Sequence, residues 1–401
     1  MSQARFPIWF ALSAVAFILV GAFIGIWLAQ RGMPAAASGL RADLARARIA
    51  QVIEAGQAEV AGVVQRYQVW QVVVLDGPQA GQSFQVEYGR RSVAPVEPAL
   101  QVGDQILVTI SPGPGGEPVA QFADYVRTPT LLLLLAAFIL LILVVSRWKG
   151  LRGLLGMALS LAVIIYFILP QILAGGDPVL VSIIGSFALL ATTLYLVYGW
   201  SWKTHTAVLG TLVALILTGL LAALFVGLAR LSGTGSEETL FLQQFAGRPI
   251  NLQGLLLGAM IIGALGVLDD LTISQVSAVF ELKRARPSLE PRALYQRAMV
   301  IGQDHVAATV NTLVLAYVGA SLPLLLLFSL SAEPLALAVN RAILAEEVVR
   351  TLVGSVGLVA AVPLTTGLAA WVASRASTFP AWTGWLGPGP GAAGEGNSHG
   401  H

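Results

Sequence analysis

The stretch Gly263–Ser274, GALGVLDDLTIS, decides the fold, because it sets two adjacent carboxylates inside a long apolar run. A helix needs about 20 mostly apolar residues to cross a bilayer, and the run around it, 253–280, is that long. A charged side chain at mid-span costs about 2.5–3.5 kcal/mol on insertion scales. Such a residue usually faces the interior of a helix bundle and marks a pathway or a proton site. The plainer alternative is a hydrogen-bonded carboxyl that fixes helix register.

Helical spacing collects Ala259, Gly263, Gly266, Asp270, Ser274, Ser277 and Glu281 on one face. Every member is small or polar, the composition that lets a second helix approach closely and bond across the contact. Asp270 is therefore expected to point at a neighbouring helix. Asp269 lies about 100° round the helix, at the edge of that contact.

The next apolar run, 303–329, supplies the expected partner. Asp304 and Asn311 are seven residues apart and share a face, with Thr312 beside them. Asp270 is eleven residues from Glu281, and Asn311 eleven from Val300; at 1.5 Å per residue each is about 16 Å in. Antiparallel helices then bring Asp270 to Asn311 and Ser277 level with Asp304, a two-tier polar seam. His305 reads either as an interfacial residue or as part of the seam. One His beside one Asp is thin evidence for a metal, so neither metal nor cofactor is expected. Pro323 removes a backbone hydrogen bond within the run and predicts a kink. An intramembrane aspartyl hydrolase needs two carboxylates about 3 Å apart sharing a proton. Asp270 and Asp304 come out offset by about 10 Å, so an enzyme is not expected.

The rest of the chain fits a membrane protein. Of its 401 residues 56% are hydrophobic and 11% charged, with mean hydropathy +0.78; soluble domains carry about 25% charged residues. A net charge of +2 gives no footprint for nucleic acid, and the absence of cysteine excludes disulfides and thiolate chemistry. About eight apolar runs are long enough to span: 7–29, 129–146, 152–173, 178–199, 206–229, 253–280, 303–329 and 351–373. The first exceeds a signal-peptide core and reads as an uncleaved anchor. Alternate ends of the runs carry eleven basic residues (Arg5, Arg147, Lys149, Arg152, Lys203, five between 283 and 297, and Arg375) against four: Arg230, Arg248, Arg341 and Arg350. That imbalance puts both termini in the cytoplasm.

Four domains follow: an anchor (1–29), an extracytoplasmic β-rich module (30–127), a seven-helix membrane domain (128–375) and a Gly/Pro-rich disordered tail (376–401). In the module, residues 40–58 read as a polar Ala/Arg-rich helix. RYQVWQVVVLD, SFQVEY, QVGDQILVTI and AQFADYVR read as strands, with Phe84, Val86 and Tyr88 on one face. Short strands at this spacing suggest a small OB-like barrel or sandwich that packs on the spans or meets a protein partner. Between the last two spans, Glu346 and Glu347 are both spaced to pair with Arg350 as a solvated ion pair. The small-residue stripes also permit a homo-oligomer.

Several stretches resemble the YibE/F family of bacterial multipass membrane proteins: GALGVLDDLTIS, IGQDHVAATVNTLVLAYVGASLPLLLL, NRAILAEEVVRTLVGSVGLVAAVPLTT, and VGDQILV followed by DYVR. The likeness covers nearly the whole chain from about residue 55. The family's aspartate falls on Asp270, with Asp269 in the place of an apolar residue. Its next Asp and Asn fall on Asp304 and Asn311, and its loop Asn and Glu on Asn340 and Glu347. The chain departs from the pattern at Gln303 and His305. The resemblance implies a plasma-membrane location but carries no reaction and no substrate. The seam points to a transporter or permeation protein, with Asp270 as a proton- or cation-coupling group. The alternative is a non-transporting assembly or regulatory protein that binds a partner through its outer module.

Overall fold

The computed structural model describes residues 43–90, 100–113, 115–330 and 334–375. The anchor expected at 7–29 and the tail expected from 376 lie outside them. The chain divides into two units, one ending at Val145 and the other resuming at Ser146.

The first unit is a five-stranded antiparallel sheet: β1 (Asp43–Val60), β2 (Val63–Val74), β3 (Ser83–Tyr88), β4 (Gln105–Pro112) and β5 (Pro118–Tyr125), in the order β3-β2-β1-β4-β5. The helix expected at 40–58 is instead β1. Ala and Arg favour helix locally, but here a period of two wins. Ala45, Ala47 and Ile49 are buried while Arg46 and Arg48 between them are exposed. The small alanines fit because β1 is paired on both edges, Arg48 opposite Val73 on β2 and Gln105 on β4. Two register shifts, after Ile49 and after Val52, bend the strand.

The bend lets the two ends of the sheet meet. Tyr88 of β3 meets Phe122 of β5 edge to face at 4.8 Å, and the Tyr125 hydroxyl donates to that of Tyr88 at 3.3 Å. Trp70, fully buried, stacks on Tyr88 at 5.6 Å. Burial, with the Tyr88 hydrogen bond second, pushes the Tyr125 hydroxyl up to about 12. At the start of β1, the Asp76 carboxylate accepts from both the Arg46 backbone N–H and its Nε, each at 2.6 Å. These bonds, the side-chain one foremost, hold the Asp76 carboxyl below the usual carboxylate range.

The second unit is helical. Among the described residues five helices are long and apolar enough to cross a membrane, or six if one bent pair counts as a single span. The expected spans 129–146 and 152–173 fall on either side of a break at Arg147 in a 46-residue helical stretch, Thr128–Leu173. It comprises α1 (Thr128–Val163), a π-helical turn and α2 (Leu169–Leu173), with non-helical backbone at Arg147, φ 48° and ψ −128°. Then come α3 (Pro178–Tyr198), α4 (Trp202–Leu228), a short α5 (Glu237–Phe245), α6 (Leu252–Ala285), α7 (Pro291–Ala320), α8 (Leu322–Leu330), α9 (Leu335–Ala338) and α10 (Ala342–Arg375). The kink expected at Pro323 is present as a 60° bend between α7 and α8. Proline cannot donate to the preceding turn, and the helix breaks at Ser321.

Close approaches fix the helix directions. Thr193 of α3 faces Asp269 of α6 and Gly258 is seated against Ser182, so α3 and α6 run parallel. Thr211 bonds Thr272 and Gly219 lies by Ile261, so α4 runs antiparallel to α6. Gly210 packs on Thr365 and Gly357 on Thr218, so α10 opposes α4. Gly302 packs on Val362 and Tyr295 on Gly367, so α7 opposes α10. The ends at Tyr198, Ala285 and Arg375 therefore share one side of the bundle, together with Lys203 and the basic loop that begins at Lys283.

The β1–β2 turn is the two residues Ala61 (φ 54°) and Gly62 (φ 79°). Glycine tolerates that region, whereas alanine pays about 1 kcal/mol for it. Ala61→Asn, which gives the preferred Asn-Gly pair, is expected to stabilise the sheet by about 0.5–1 kcal/mol in thermal unfolding. A lowered midpoint would contradict this turn geometry. Because the Asp76 carboxyl is depressed, its contribution is complete above the unfolded value near pH 4 and fades as pH falls through the folded one. The stability gap between the wild-type chain and Asp76→Asn should accordingly hold steady above about pH 5 and shrink as pH falls below about 4.

Candidate functional site

Helix α6 packs on α3, α4, α7 and α10, and its buried side is not the small-residue stripe. Leu265, Leu268, Leu271, Thr272, Gln275, Val276 and Val279 turn inward. Ala259, Gly263, Gly266 and Asp270 are exposed, and a Cβ built on Gly263 or Gly266 meets nothing within 4 Å. The sequence reading assumed that small and polar residues would seek the contact. In a bundle where lipid is as apolar as leucine, leucines pack inside equally well. The inward-facing carboxylate is thus Asp269. Its Oδ2 lies 3.4 Å from the Thr193 hydroxyl, and its buried Oδ1 has no hydrogen-bond partner.

The expected seam is not assembled. Asp270, Asp304 and Asn311 are all exposed, and no hydrogen bond joins any two of them among the described residues. The register also differs from the count made along the sequence. Gln275 Nε2 donates to the Ala298 carbonyl and lies against Gly302. Counting back along antiparallel helices, Asp270 comes level with about Asp304–His305, and Asn311 lies roughly 9 Å further along. The count failed because α6 and α7 extend beyond any single plane at their shared end, so helix ends are poor depth markers. The offset used against an Asp270–Asp304 pair therefore disappears, although the two remain unbonded. Ser277 donates to Ile273 of its own helix at 2.6 Å, and Ser274 and His305 are half-buried. Asn340 is exposed and donates to the Ala336 carbonyl at 2.8 Å. Glu347 pairs with Arg350 at 2.7 Å as expected. Glu346, expected in the same ion pair, is instead buried and accepts the Gly235 N–H at 3.2 Å.

What the structure does assemble is a polar belt at one level of the bundle. From α3 comes Thr193 and from α6 Asp269, Thr272 and Gln275. Helix α4 adds Thr211, and α10 adds Thr365 and Thr366. Thr211 and Thr272 bond across α4 and α6. Gln275 Nε2 reaches Thr366 Oγ1 at 2.8 Å across α6 and α10. Thr365, buried and with its Oγ1 unbonded, lies over Gly210 and closes the triangle onto α4. Thr211 and Thr366 each give their proton to a carbonyl four residues back, at 3.0 and 2.6 Å. That leaves their lone pairs free to accept from a neighbouring helix. Counted from Trp202 and from Arg375, Thr211 and Thr366 each lie nine residues in, about 14 Å from the basic end. The threonines and Gln275 escaped the sequence reading because threonine is ordinary in apolar helices. The one signal was Gln275 itself, an amide on the face of α6 opposite Asp270.

Gln275 and Thr366 should be energetically coupled. Gln275→Leu and Thr366→Val are each expected to lower unfolding free energy by about 1–2 kcal/mol in bicelles. Their double-mutant cycle should give a coupling of about 0.5–1.5 kcal/mol. A coupling of zero would mean that the belt contact carries no energy.

Residues 134–375, more than half of the chain, match the family described as YibE/F-like protein. No curated protein and no solved structure matches the chain. The match spans the bundle and every residue of the belt, and the chain belongs to the YibE/F-like family.

Proposed function

We propose that this membrane protein is a proton-coupled transporter or permeation protein for a small solute, acting through the belt rather than through Asp270 and Asn311. The observation that carries the proposal is Asp269. It is the inward-facing carboxyl at the belt, with one oxygen near a hydroxyl and the other buried and unbonded. A carboxyl so placed exchanges a proton with little rearrangement of its surroundings, and intramembrane carboxyls of this kind serve as relay sites. The threonines on either side offer exchangeable hydroxyls at the same level. The reading is of a non-enzymatic protein in the cytoplasmic membrane of a bacterium, crossing it several times. The excess of basic residues at the Tyr198, Ala285 and Arg375 end supports placing that end in the cytoplasm. The strand order β3-β2-β1-β4-β5, with β3 and β5 in ring contact, supports an OB-like outer module.

The outward stripe favours a second reading, assembly without transport. Gly263, Gly266 and Asp270 face away from the bundle, on a surface suited to another copy or another protein.

Proton flux into vesicles holding a pH-sensitive dye, under an imposed gradient, separates the two. Asp269→Asn is expected to cut flux at least tenfold, and Asp270→Asn to leave it within about twofold, the loss corresponding to about 1.4 kcal/mol or more. Equal flux in wild type and Asp269→Asn would end the transport reading. A loss of oligomer mass in Gly263→Leu, with no wild-type flux, would establish the other.

A further inference from the structure

At the end of the bundle opposite the basic loops lies an open cavity of about 520 Å³. It is formed where the segment after α4 meets α5 and the start of α6. Six of the residues that line it are polar: Arg230, Ser232, Thr234, Gln243, Asn251 and Gln253. None is a carboxylate. The bonds already made inside the cavity leave donors over. Asn251 Oδ1 accepts from Gly254 N at 2.9 Å, so its amide N–H groups remain. Gln253 spends one N–H on the Leu231 carbonyl at 2.9 Å and keeps the other. Ser232 and Thr234 bond each other at 2.7 Å, which leaves one hydroxyl proton. No described carboxylate pairs with Arg230.

The walls are held in place. Gly233, with φ 77°, is pressed onto the backbone of Leu252 and Gln253, where a side chain would collide. Gly235 is held by the buried Glu346, whose carboxylate does not line the cavity. Glu237 and Glu238 begin α5 outside it. Arg230 adopts φ 52°, a conformation that glycine takes without strain and arginine does not. The chain thus sets an exposed arginine at the lining of a donor-rich cavity at a backbone penalty.

We propose that this cavity binds an anionic phosphate-type group, presented either by a dissolved anion or by a lipid headgroup. The guanidinium supplies charge and paired N–H donors, and the hydroxyl and amide donors complete the shell. The inference does not rest on the transport reading and survives its failure.

The test uses the full chain purified in detergent, titrated calorimetrically with inorganic phosphate. In parallel, lipid retention is read by native mass spectrometry from nanodiscs of mixed phosphatidylcholine and phosphatidylglycerol. The decisive variant is Arg230→Gly, which removes the cation while relaxing the backbone, so it should fold at least as well as wild type. Binding is expected to weaken at least tenfold in Arg230→Gly and in Arg230→Gln, and to be unchanged in Arg286→Gln at the opposite end. Phosphate binding alone would identify a dissolved anion, and selective retention of phosphatidylglycerol alone a headgroup; both support the site. Two results overturn it: no saturable binding of either probe to wild type, or wild-type binding by both Arg230 variants.

Discussion

Helices in a bilayer gain nothing by exchanging lipid contacts for leucine contacts, so what holds this bundle is the distance to which backbones can approach. Four glycines set that distance. Gly210 admits Thr365, Gly357 admits Thr218, Gly258 admits Ser182 and Gly302 admits Val362 beside Gln275. In three of the four the intruding group carries a hydroxyl. Thr218, like its counterparts in the belt, sends its proton to a carbonyl of its own helix, Ala214. That hydroxyl is satisfied before it reaches the contact, so it enters an apolar interface without an orphaned donor, whereas the Thr365 hydroxyl over Gly210 is buried and unbonded. The belt repeats the back-bonded hydroxyl at one depth in Thr211 and Thr366, which Thr272 and Gln275 meet from the neighbouring helix.

How much of this was legible in the sequence follows from which physical signal survives in lipid. Length and hydropathy survive, so the helical character and the placement of α3, α4, α6 and α10 could be read, as could the bend at Pro323. Strand alternation survives in water, so β2 to β5 stood out, and Phe84, Val86 and Tyr88 do face the core. β1 was hidden because Ala and Arg carry a helical preference that only pairing on both edges overrides. The facing of α6 was hidden for a deeper reason. Hydrophobicity marks the inside of a soluble protein, but in a membrane bundle it marks neither side. The choice between Asp269 and Asp270 depended on one step of about 100° that no pattern in α6 alone could settle.

The two acids illustrate the division of labour along α6. One faces Thr193 within the packed bundle, and the other stands on the uncovered stripe with Gly263 and Gly266. A single helix thus presents ionisable groups both to the interior and to whatever adjoins the bundle. Helix α7 follows a similar plan. Leu294, Ala298 and Gly302 are buried in its first half, while Asp304 and Asn311 face away.

The ribbon formed by the far halves of β1 and β2 has its own consequence. β4 pairs with β1 only as far as Arg48, and β3 pairs with β2 only from Gln68. Beyond those points the two strands run on together to Val60 and Val63 with no further strand paired on either edge among the described residues. Open edges of this length invite strand addition by another chain, the first step of aggregation. Here Glu54, Glu59 and Arg66 punctuate the ribbon, and a second ribbon laid alongside in register would meet its own charges. The projection is thereby guarded against the self-pairing that its backbone would otherwise template.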